Sequence, residues 1–326
     1  MNHEKISRTA ALLAACGMLT FSAHLMAQAY PSKPLRIIVG FPPGGATDVA
    51  ARAVAQKLTE SIGQQVIVDN RPGAASNIGA ELVARAAPDG YTLFMGSVST
   101  AINPSLYSKL SYDPLRDFAA VTQVANTPFL LVTHPSMPVK NVKELIAFAK
   151  ARPGQVNYAT AGAGSGGHLF MELFRSLTDI NIVSVPYKGA APATTDVLAG
   201  QVPLMFDNIL TTLPLVRSGR FRGLAVSTAA RSPIAPDIST MAEAGVAGYE
   251  ANAWFGVFAP AATPKDLIAR INAEIVKGLQ TADMRERLRA LGAEPVGGTP
   301  EQYAAFFRAE VAKWAKVVKA AGVRLD

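Results

Sequence analysis

Two stretches of the chain indicate its fold: residues 35–48 read LRIIVGFPPGGATD and residues 156–168 read VNYATAGAGSGGH. Each opens with a strand pattern and then breaks at glycine or proline. After the first break, apolar residues recur at helical spacing through Val49, Ala53, Leu58 and Ile62, and Gly63 follows. Strand, glycine-rich turn and helix in this order predict the repeating unit of an α/β fold.

The same alternation continues along the chain. Strand patterns recur at residues 66–68, 91–96, 182–187, 203–206, 224–227 and 253–258, and residues 118–133 hold two strand-like halves. No Gly/Ser linker, charge block or low-complexity segment interrupts the 326 residues. We therefore expect two α/β lobes with mixed, mostly parallel sheets, joined by short strands crossing near residues 124–127 and 225–228. Residues 30–124 and 228–326 are predicted to form lobe 1, and residues 125–227 lobe 2.

Two Thr-Pro pairs mark helix starts in the last hundred residues. Thr263 and Thr299 are predicted N-caps, with the following proline at the first helical position. Trp314 falls with Phe307 on the apolar face of the last helix, so both are expected in the core.

The first 29 residues are typical of an export signal. Lys5 and Arg8 precede an apolar stretch over residues 9–25, and residues 27–29 read AQA, a small-residue cleavage site. The pattern predicts cleavage after Ala29 and a periplasmic protein. Lipid anchoring at Cys16, whose preceding residues resemble a lipoprotein processing site, is the alternative, and a membrane anchor is a further one.

Composition narrows the function classes. The formal net charge is +7, but Lys and Arg form no cluster with interleaved aromatic residues, so nucleic-acid binding is not predicted. Cys16 is the only cysteine, and His134 and His168 are the only histidines after residue 29. Neither a metal site nor a cofactor is predicted from these residues, and a monomer is expected.

The first glycine-rich loop is a candidate anion site. Phe41, Pro42, Gly44 and Gly45 lie between a strand and a helix, and Asp48 lies in the first helical turn. Helix N-termini present unpaired N–H groups and partial positive charge, which receive carboxylates or phosphates. A plain tight turn, capped by Thr47 or Asp48, is the alternative.

The second loop carries more glycine. Its candidate side-chain donors to a ligand are the hydroxyl of Ser165 and the ring of His168. The spacing of its glycines also fits a dinucleotide fingerprint, but no acid ends the next strand to hold a ribose. Ser165 resembles a nucleophile elbow, yet no histidine follows His168, so the usual hydrolase order is excluded.

Other polar residues also follow predicted strands. Tyr187, Lys188 and Gly189 form a third loop, in which Lys188 is either a counter-charge or a solvated surface lysine. Four further candidates are Asn77, Ser97, Thr100 and Asp207. Open α/β sheets bind ligands at the carboxyl ends of their strands, so these loops are expected to meet at one site. Asp207 either accepts a ligand hydroxyl or ammonium group or braces a loop.

The order of these motifs resembles a known family. The quoted runs are YPSKP at residues 30–34, FPPGG with Asp48, NRPGA at residues 70–74, PDGYTL at residues 88–93, the loop at residues 161–168, VPYKG at residues 185–189, GQV at residues 200–202 and WFG at residues 254–256. Together they resemble Bug-type solute receptors, the extracytoplasmic binding components of tripartite tricarboxylate transporters.

The resemblance implies a fold like type II periplasmic binding proteins, with the ligand in the cleft between lobes. It implies that a ligand carboxylate is held by amides and hydroxyls at Thr160, Ala161, Ser165 and His168, with ordered waters over residues 42–45. It further implies a receptor, not an enzyme, that delivers a small carboxylate to membrane permease subunits. A sensor for a membrane signalling system and a hydrolase using Ser165 are the alternatives. Tri- and dicarboxylates, acidic amino acids, aromatic acids and nicotinate-like compounds all fit.

Overall fold

A computed structural model describes residues 30–290, 292–322 and 324–325. The expected export signal, its cleavage after Ala29 and the alternative of lipid at Cys16 lie outside these residues. A compact unit begins at Pro34. No helix in the described ranges combines the length and the apolar character needed to span a membrane.

The first lobe is built on a six-stranded mixed sheet. Its strands are β1 (Leu35–Val39), β2 (Val66–Asn70), β3 (Thr92–Ser97), β4 (Phe118–Thr127), β10 (Ala253–Pro260) and β11 (Glu294–Gly297), in the order β11-β4-β10-β3-β1-β2. β1 is parallel to β2 and β3, whereas β10 is antiparallel to β3 and β4. The helices are α1 (Ala46–Ile62), α2 (Asn77–Ala84), α3 (Val98–Leu106), α8 (Lys265–Gln280), α9 (Ala282–Ala290) and α10 (Pro300–Ala321), with a 3-10 turn at Ala74–Ser76.

The second lobe is built on a five-stranded sheet. Its strands are β5 (Phe129–Thr133), β6 (Val156–Thr160), β7 (Ile182–Pro186), β8 (Leu204–Asn208) and β9 (Arg222–Val226), in the order β7-β6-β8-β5-β9. β6 is parallel to β7 and β8, and β5 is antiparallel to β8 and β9. The helices are α4 (Val142–Lys150), α5 (Gly166–Thr178), α6 (Ala190–Leu198) and α7 (Ile209–Arg217). Two mixed α/β lobes confirm the predicted fold class.

The chain crosses from the first sheet to the second at Pro128, between β4 and β5. Phe129 and Ser227 bind each other at the crossing, with the Phe129 N–H donating to Ser227 Oγ and the Ser227 N–H donating to Phe129 O, both at 2.9 Å. After β9 the chain stays beside the second sheet, because the Met241 N–H donates to Val226 O at 3.0 Å. The predicted division at residues 124/125 and 227/228 stays a prediction.

Helix ends follow local chemistry in most places. Gly63 ends α1 in the left-handed region, as the sequence predicts. Thr299 caps α10 in a reciprocal capping box with Gln302. At α8 the prediction was wrong by one residue, because Pro264 occupies the N-cap and the hydroxyl of Thr263 makes no cap bond.

The core joins both lobes. Trp314 and Phe307 of α10 are buried, which confirms that prediction. Trp314 stacks on Phe170 of α5, with ring centroids 5.4 Å apart and planes 6° from parallel. The last helix of the first lobe is thereby packed against the helix that starts at the second glycine-rich loop.

Candidate functional site

A cavity lies between the two sheets, where several strands end. The space between its lining residues amounts to about 750 Å³, part of it open to solvent. It is lined by Phe41, Pro42, Pro43, Gly45, Ala46, Thr47, Ser97, Val98, Ser99, Phe129, Ala161, Ser165, Gly166, Gly167, Gly189, Ala190, Ala191, Pro192, Asp207, Asn208, Thr211, Ala253, Trp254 and Phe255. The three loops singled out from the sequence therefore meet at one cavity.

Five helices, α1, α3, α5, α6 and α7, begin at this cavity. The residue before each of them lines it: Gly45, Ser97, Ser165, Gly189 and Asn208. Each helix start carries unpaired N–H donors and about half a positive charge. Among the described lining residues there is no Lys, Arg or His, so the backbone supplies the positive potential.

Asp48 braces the first loop from behind and does not line the cavity. Its Oδ2 accepts hydrogen bonds from the Gly44 N–H at 3.0 Å and Arg52 Nε at 2.9 Å, and its Oδ1 accepts one from Asn70 Nδ2 at 3.0 Å. Burial acts to raise the pKa of Asp48, but the hydrogen bonds from Arg52, Gly44 and Asn70 outweigh it and leave the pKa below its ordinary value. Gly44 and Asp48 shape the loop, while Phe41, Pro42 and Gly45 face the cavity. The N-cap of α1 is Gly45, so neither Thr47 nor Asp48 caps it.

The second loop is held by hydrogen bonds to its own backbone. Ser165 is the N-cap of α5, and its Oγ accepts the His168 N–H at 3.4 Å. His168 Nδ1 accepts the Gly164 N–H at 3.1 Å, and Thr160 Oγ1 accepts the Gly162 N–H at 3.3 Å. Ala161 and Ser165 line the cavity, whereas Thr160 and His168 lie behind the loop that they shape.

A buried polar cluster lies beneath His168. Glu172 accepts the Tyr158 hydroxyl at 2.6 Å and Arg175 Nη1 at 2.7 Å, and its Oε1 lies 3.8 Å from His168 Nε2. Burial lowers the pKa of His168, with Glu172 acting in the opposite direction. The imidazole is therefore neutral near pH 7, and Nδ1 is the acceptor that holds Gly164. His168 supports the loop and is not positioned as a ligand donor.

The third loop closes over the first. A Cβ added to Gly189 would lie 3.1 Å from Pro42 Cγ, and the φ of Gly189 is +115°. This left-handed region strongly favours glycine. The second loop also reaches the first lobe, because a Cβ on Gly164 would lie 3.2 Å from Ala75 Cβ. The cleft is therefore closed in this structure.

The other two residues of the third loop point elsewhere. The Tyr187 hydroxyl donates to Asp196 at 2.7 Å, and burial together with Asp196 raises the pKa of Tyr187 to about 12. Lys188 is exposed and does not line the cavity. Of the two interpretations of Lys188, this position fits the solvated surface lysine and not the counter-charge for a ligand.

Asp207 and Asn208 end β8 at the cavity. Asp207 Oδ2 accepts the Thr211 hydroxyl at 3.0 Å, and burial raises the pKa of Asp207 to about 6 despite bonds from Asn208 and Thr211 that lower it. Asn208 Oδ1 accepts the Leu210 N–H at 3.0 Å and the Thr127 hydroxyl at 3.1 Å. The Nδ2 group of Asn208 is buried, and no described residue bonds to it.

Asn77 and Thr100 support neighbouring turns. Asn77 Oδ1 accepts Asn103 Nδ2 at 2.6 Å and the Tyr112 hydroxyl at 2.8 Å, so it stabilises the packing of α2 on α3. Thr100 Oγ1 accepts the Ser97 N–H at 3.2 Å in the capping box of α3. Of these three sequence candidates, Ser97 lines the cavity and the other two do not.

Comparison with known proteins places the site in a family. Residues 50–323 match the family model described as the tripartite tricarboxylate transporter family receptor. The chain belongs to this family. It is 41% identical over 306 residues to Protein BugT of Bordetella pertussis, covering 93% of this chain and 94% of BugT.

Two solved structures of Rhodopseudomonas palustris proteins resemble this receptor closely. One, Rpa4515 with adipate, is 40% identical with a TM-score of 0.87 and covers 90% of this chain and 99% of its own. The other, MatC with bound malate, is 33% identical with a TM-score of 0.85 and covers 89% of this chain and 100% of its own. The family consists of periplasmic solute-binding receptors and is not an enzyme family.

Part of the wall of this receptor's cavity was missed by sequence reasoning. Phe129 and Trp254 come from the strands next to the crossing and were not candidates. Asn208 and Thr211 at the end of β8 were also missed, although the strand-end position of Asp207 was itself a signal. Within the described residues, no group of three or more His, Cys, Asp or Glu side chains is placed to hold a metal ion.

Trp254 is fixed from behind by the last helix of the receptor. Its Nε1 donates to Glu310 Oε2 at 3.0 Å, and Trp314 Nε1 donates to the same oxygen at 3.1 Å. Lys313 forms an ion pair with Glu310. The cavity wall is thus connected to α10, which also packs on α5 of the second lobe.

Proposed function

We propose that this receptor captures a small carboxylate in the closed cleft and delivers it to the membrane permease of a tripartite tricarboxylate transporter. The five helix starts at the cavity carry the proposal. They present N–H donors from both lobes to one enclosed space whose lining includes no described basic side chain. Such a space favours an anion with several acceptor oxygens.

The ligands of the relatives support the same class. The R. palustris proteins hold adipate and malate, which are both dicarboxylates. In this chain, the amides after Gly45, Ser165 and Gly189 and the hydroxyl of Ser165 are proposed to hold one ligand carboxylate. Supporting roles are proposed for Gly44, Asp48, Asn77, Thr100, Thr160, His168 and Tyr187, and none of these residues lines the cavity. Lys188 is proposed to be a solvated surface lysine with no ligand contact.

Transport explains why the receptor needs two lobes. A ligand that contacts both lobes stabilises the closed form by its differential affinity for that form. We propose that the closed monomer, exported to the periplasm after cleavage at Ala29, is the form that docks on the permease. No turnover is part of the proposal: the described contacts of the His168 ring are with Gly164, Glu172 and Tyr158, which leaves Ser165 without a base held against it.

The proposal is tested by a thermal-shift screen of the purified protein against mono-, di- and tricarboxylates. A ligand at 100 times its Kd adds about 2.7 kcal/mol to the free energy of unfolding. Ser165→Ala is expected to reduce the shift, because the hydroxyl and the cap that it forms are lost together. Ser136→Ala, at an exposed serine that does not line the cavity, is the matched control. The proposal is wrong if no carboxylate stabilises the wild-type protein.

A further inference from the structure

Asp207 gives the cleft an unexpected charge. It is the one ionisable side chain among the described residues that line the cavity, and it is 6% exposed. An acid is a poor neighbour for a ligand that carries two negative charges. The charge of Asp207 therefore restricts what the cleft can hold.

We infer that the closed cleft accommodates one negative charge besides that of the ligand carboxylate held by the helix starts. A dicarboxylate is therefore captured only together with one proton, which is shared between Asp207 and the ligand's second carboxyl group. The inference rests on the proposed function and specifies the charge state of its ligand. A ligand with one carboxylate and an amide, hydroxyl or ammonium group at the other end binds without that proton.

The groups around Asp207 fit a protonated carboxyl group. Two carboxylates in one largely buried site repel each other and are poorly solvated, so the pKa of one of them is strongly raised. Asn208, the residue after Asp207, has a buried Nδ2 donor with no partner among the described residues. The carboxylate oxygens of Asp207 are acceptors. A ligand carboxyl group can accept from Asn208 and share a proton with Asp207, and a primary amide matches the same pair of groups.

Burial makes Asp207 able to take up this proton near neutral pH, since its pKa is already raised to about 6 without a second carboxylate. Other titratable and charged groups on β8 and on the elements packed against it have their own partners. They are Tyr158 on β6, His168, Glu172 and Arg175 on α5, Asp196 on α6 and Arg217 on α7. The first four form the cluster beneath the second loop, Asp196 accepts Tyr187, and Arg217 donates to Ile234 O. β5 carries no ionisable side chain.

The test uses length-matched pairs of probes: succinate, glutarate and adipate, each with its monoamide. Titration calorimetry in two cationic buffers of different ionisation enthalpy, Tris and triethanolamine, counts the protons taken up on binding. For the dicarboxylate of a pair that binds, we expect uptake of about one proton above pH 7. Its affinity should fall about tenfold per pH unit between pH 7 and pH 8.5. The monoamide should bind with no proton uptake and little dependence on pH.

Two variants complete the test. Asp207→Asn removes the charge at nearly constant shape and should abolish proton uptake by the dicarboxylate. Asp179→Asn makes the same change of net charge at an exposed helix end where asparagine suits the backbone, and it should behave as wild type. Binding of a dicarboxylate above pH 7 with no proton uptake overturns the inference and leaves the proposed function standing. If no member of any pair binds and the broader carboxylate screen is also negative, both fall.

Discussion

At the scale of single residues, Asp48 shows how an acid organises the first loop without lining the cavity. It connects the Gly44 amide, Asn70 of β2 and Arg52 of α1. Because all three partners belong to the first lobe, the brace does not depend on closure of the cleft. Asp48 therefore presets the backbone of a loop that is proposed to meet the ligand.

Asp48→Asn should lower the free energy of unfolding by about 1–3 kcal/mol at pH 7, since hydrogen bonds to a charged group are lost or weakened. The pKa of Asp48 in the folded protein is lowered from 3.8. Its contribution is therefore present above pH 4 and is lost as the pH falls through the lower, folded value. Urea unfolding from pH 7 to pH 3 should show the gap between variant and wild type shrinking. A gap of constant size, or the same loss in Asp179→Asn, would contradict the assigned role.

Gly167 is a residue whose type indicates a close contact in the sequence, while only the structure identifies the contacting group. Four glycines within residues 162–167 are costly in chain entropy, which indicates that the backbone approaches something closely but does not identify the partner. In the structure a Cβ on Gly167 would lie 2.2 Å from Phe206 O of β8. The close neighbour is thus the protein's own backbone, which seats the start of α5 on the sheet.

At the scale of elements, the sequence predicts those strands and helices whose apolar residues recur regularly because one side of the element is buried. The strand pattern that opens residues 156–168 is observed as β6, and β4 and β5 separate at Pro128 as two strand-like halves suggested. β11 was missed because this edge strand is only EPVG, with Val296 46% exposed. α9 was missed because its residues are mostly polar, which leaves little apolar periodicity to detect.

The missed cavity residues have a different cause. Turn motifs reveal loops such as residues 41–45, because their composition is unusual in any context. Phe129 and Trp254 lie in ordinary apolar strands, and which face they present depends on the pairing of strands distant in sequence. β10 shifts register against β4 between Phe255 and Gly256. No local pattern in the sequence contains that information.

Helix α10 provides the element-scale prediction, through Glu310. Glu310→Ala leaves the indole N–H groups of Trp254 and Trp314 without their common acceptor. We expect a loss of about 2–4 kcal/mol in unfolding free energy, because each buried donor costs about 1–3 kcal/mol when unpaired. Since the chain has only these two tryptophans, the emission spectrum of the folded protein should change as well. Glu286→Ala, at an exposed position of α9, should change neither, and an unaltered Glu310→Ala spectrum would be against this arrangement.

At the scale of the whole molecule, the close approach of Gly189 to Pro42 brings the two lobes together at the cavity lining. Gly189→Ala places a methyl group 3.1 Å from Pro42 Cγ in a backbone region that L residues rarely adopt. Closure should become less favourable, so carboxylate affinity should fall by about tenfold or more, which corresponds to about 1.4 kcal/mol. Small-angle scattering should show a smaller ligand-induced contraction than in wild type.

Gly219→Ala is the control for backbone strain at this site. Its φ is +73° and nothing lies within 4 Å of an added Cβ. It should lower stability without weakening ligand binding. Equal losses of affinity in the two variants would show that strain alone, and not the contact between lobes, is responsible.

The helix starts at the cavity also bear on the unoccupied receptor. Two of them, those of α1 and α3, belong to one lobe, and those of α5, α6 and α7 belong to the other. When no ligand lies between them, the positively polarised N-termini of the helices from the two lobes repel each other. We therefore expect the ligand-free receptor to favour an open form, and a bound anion to offset the repulsion between the two lobes.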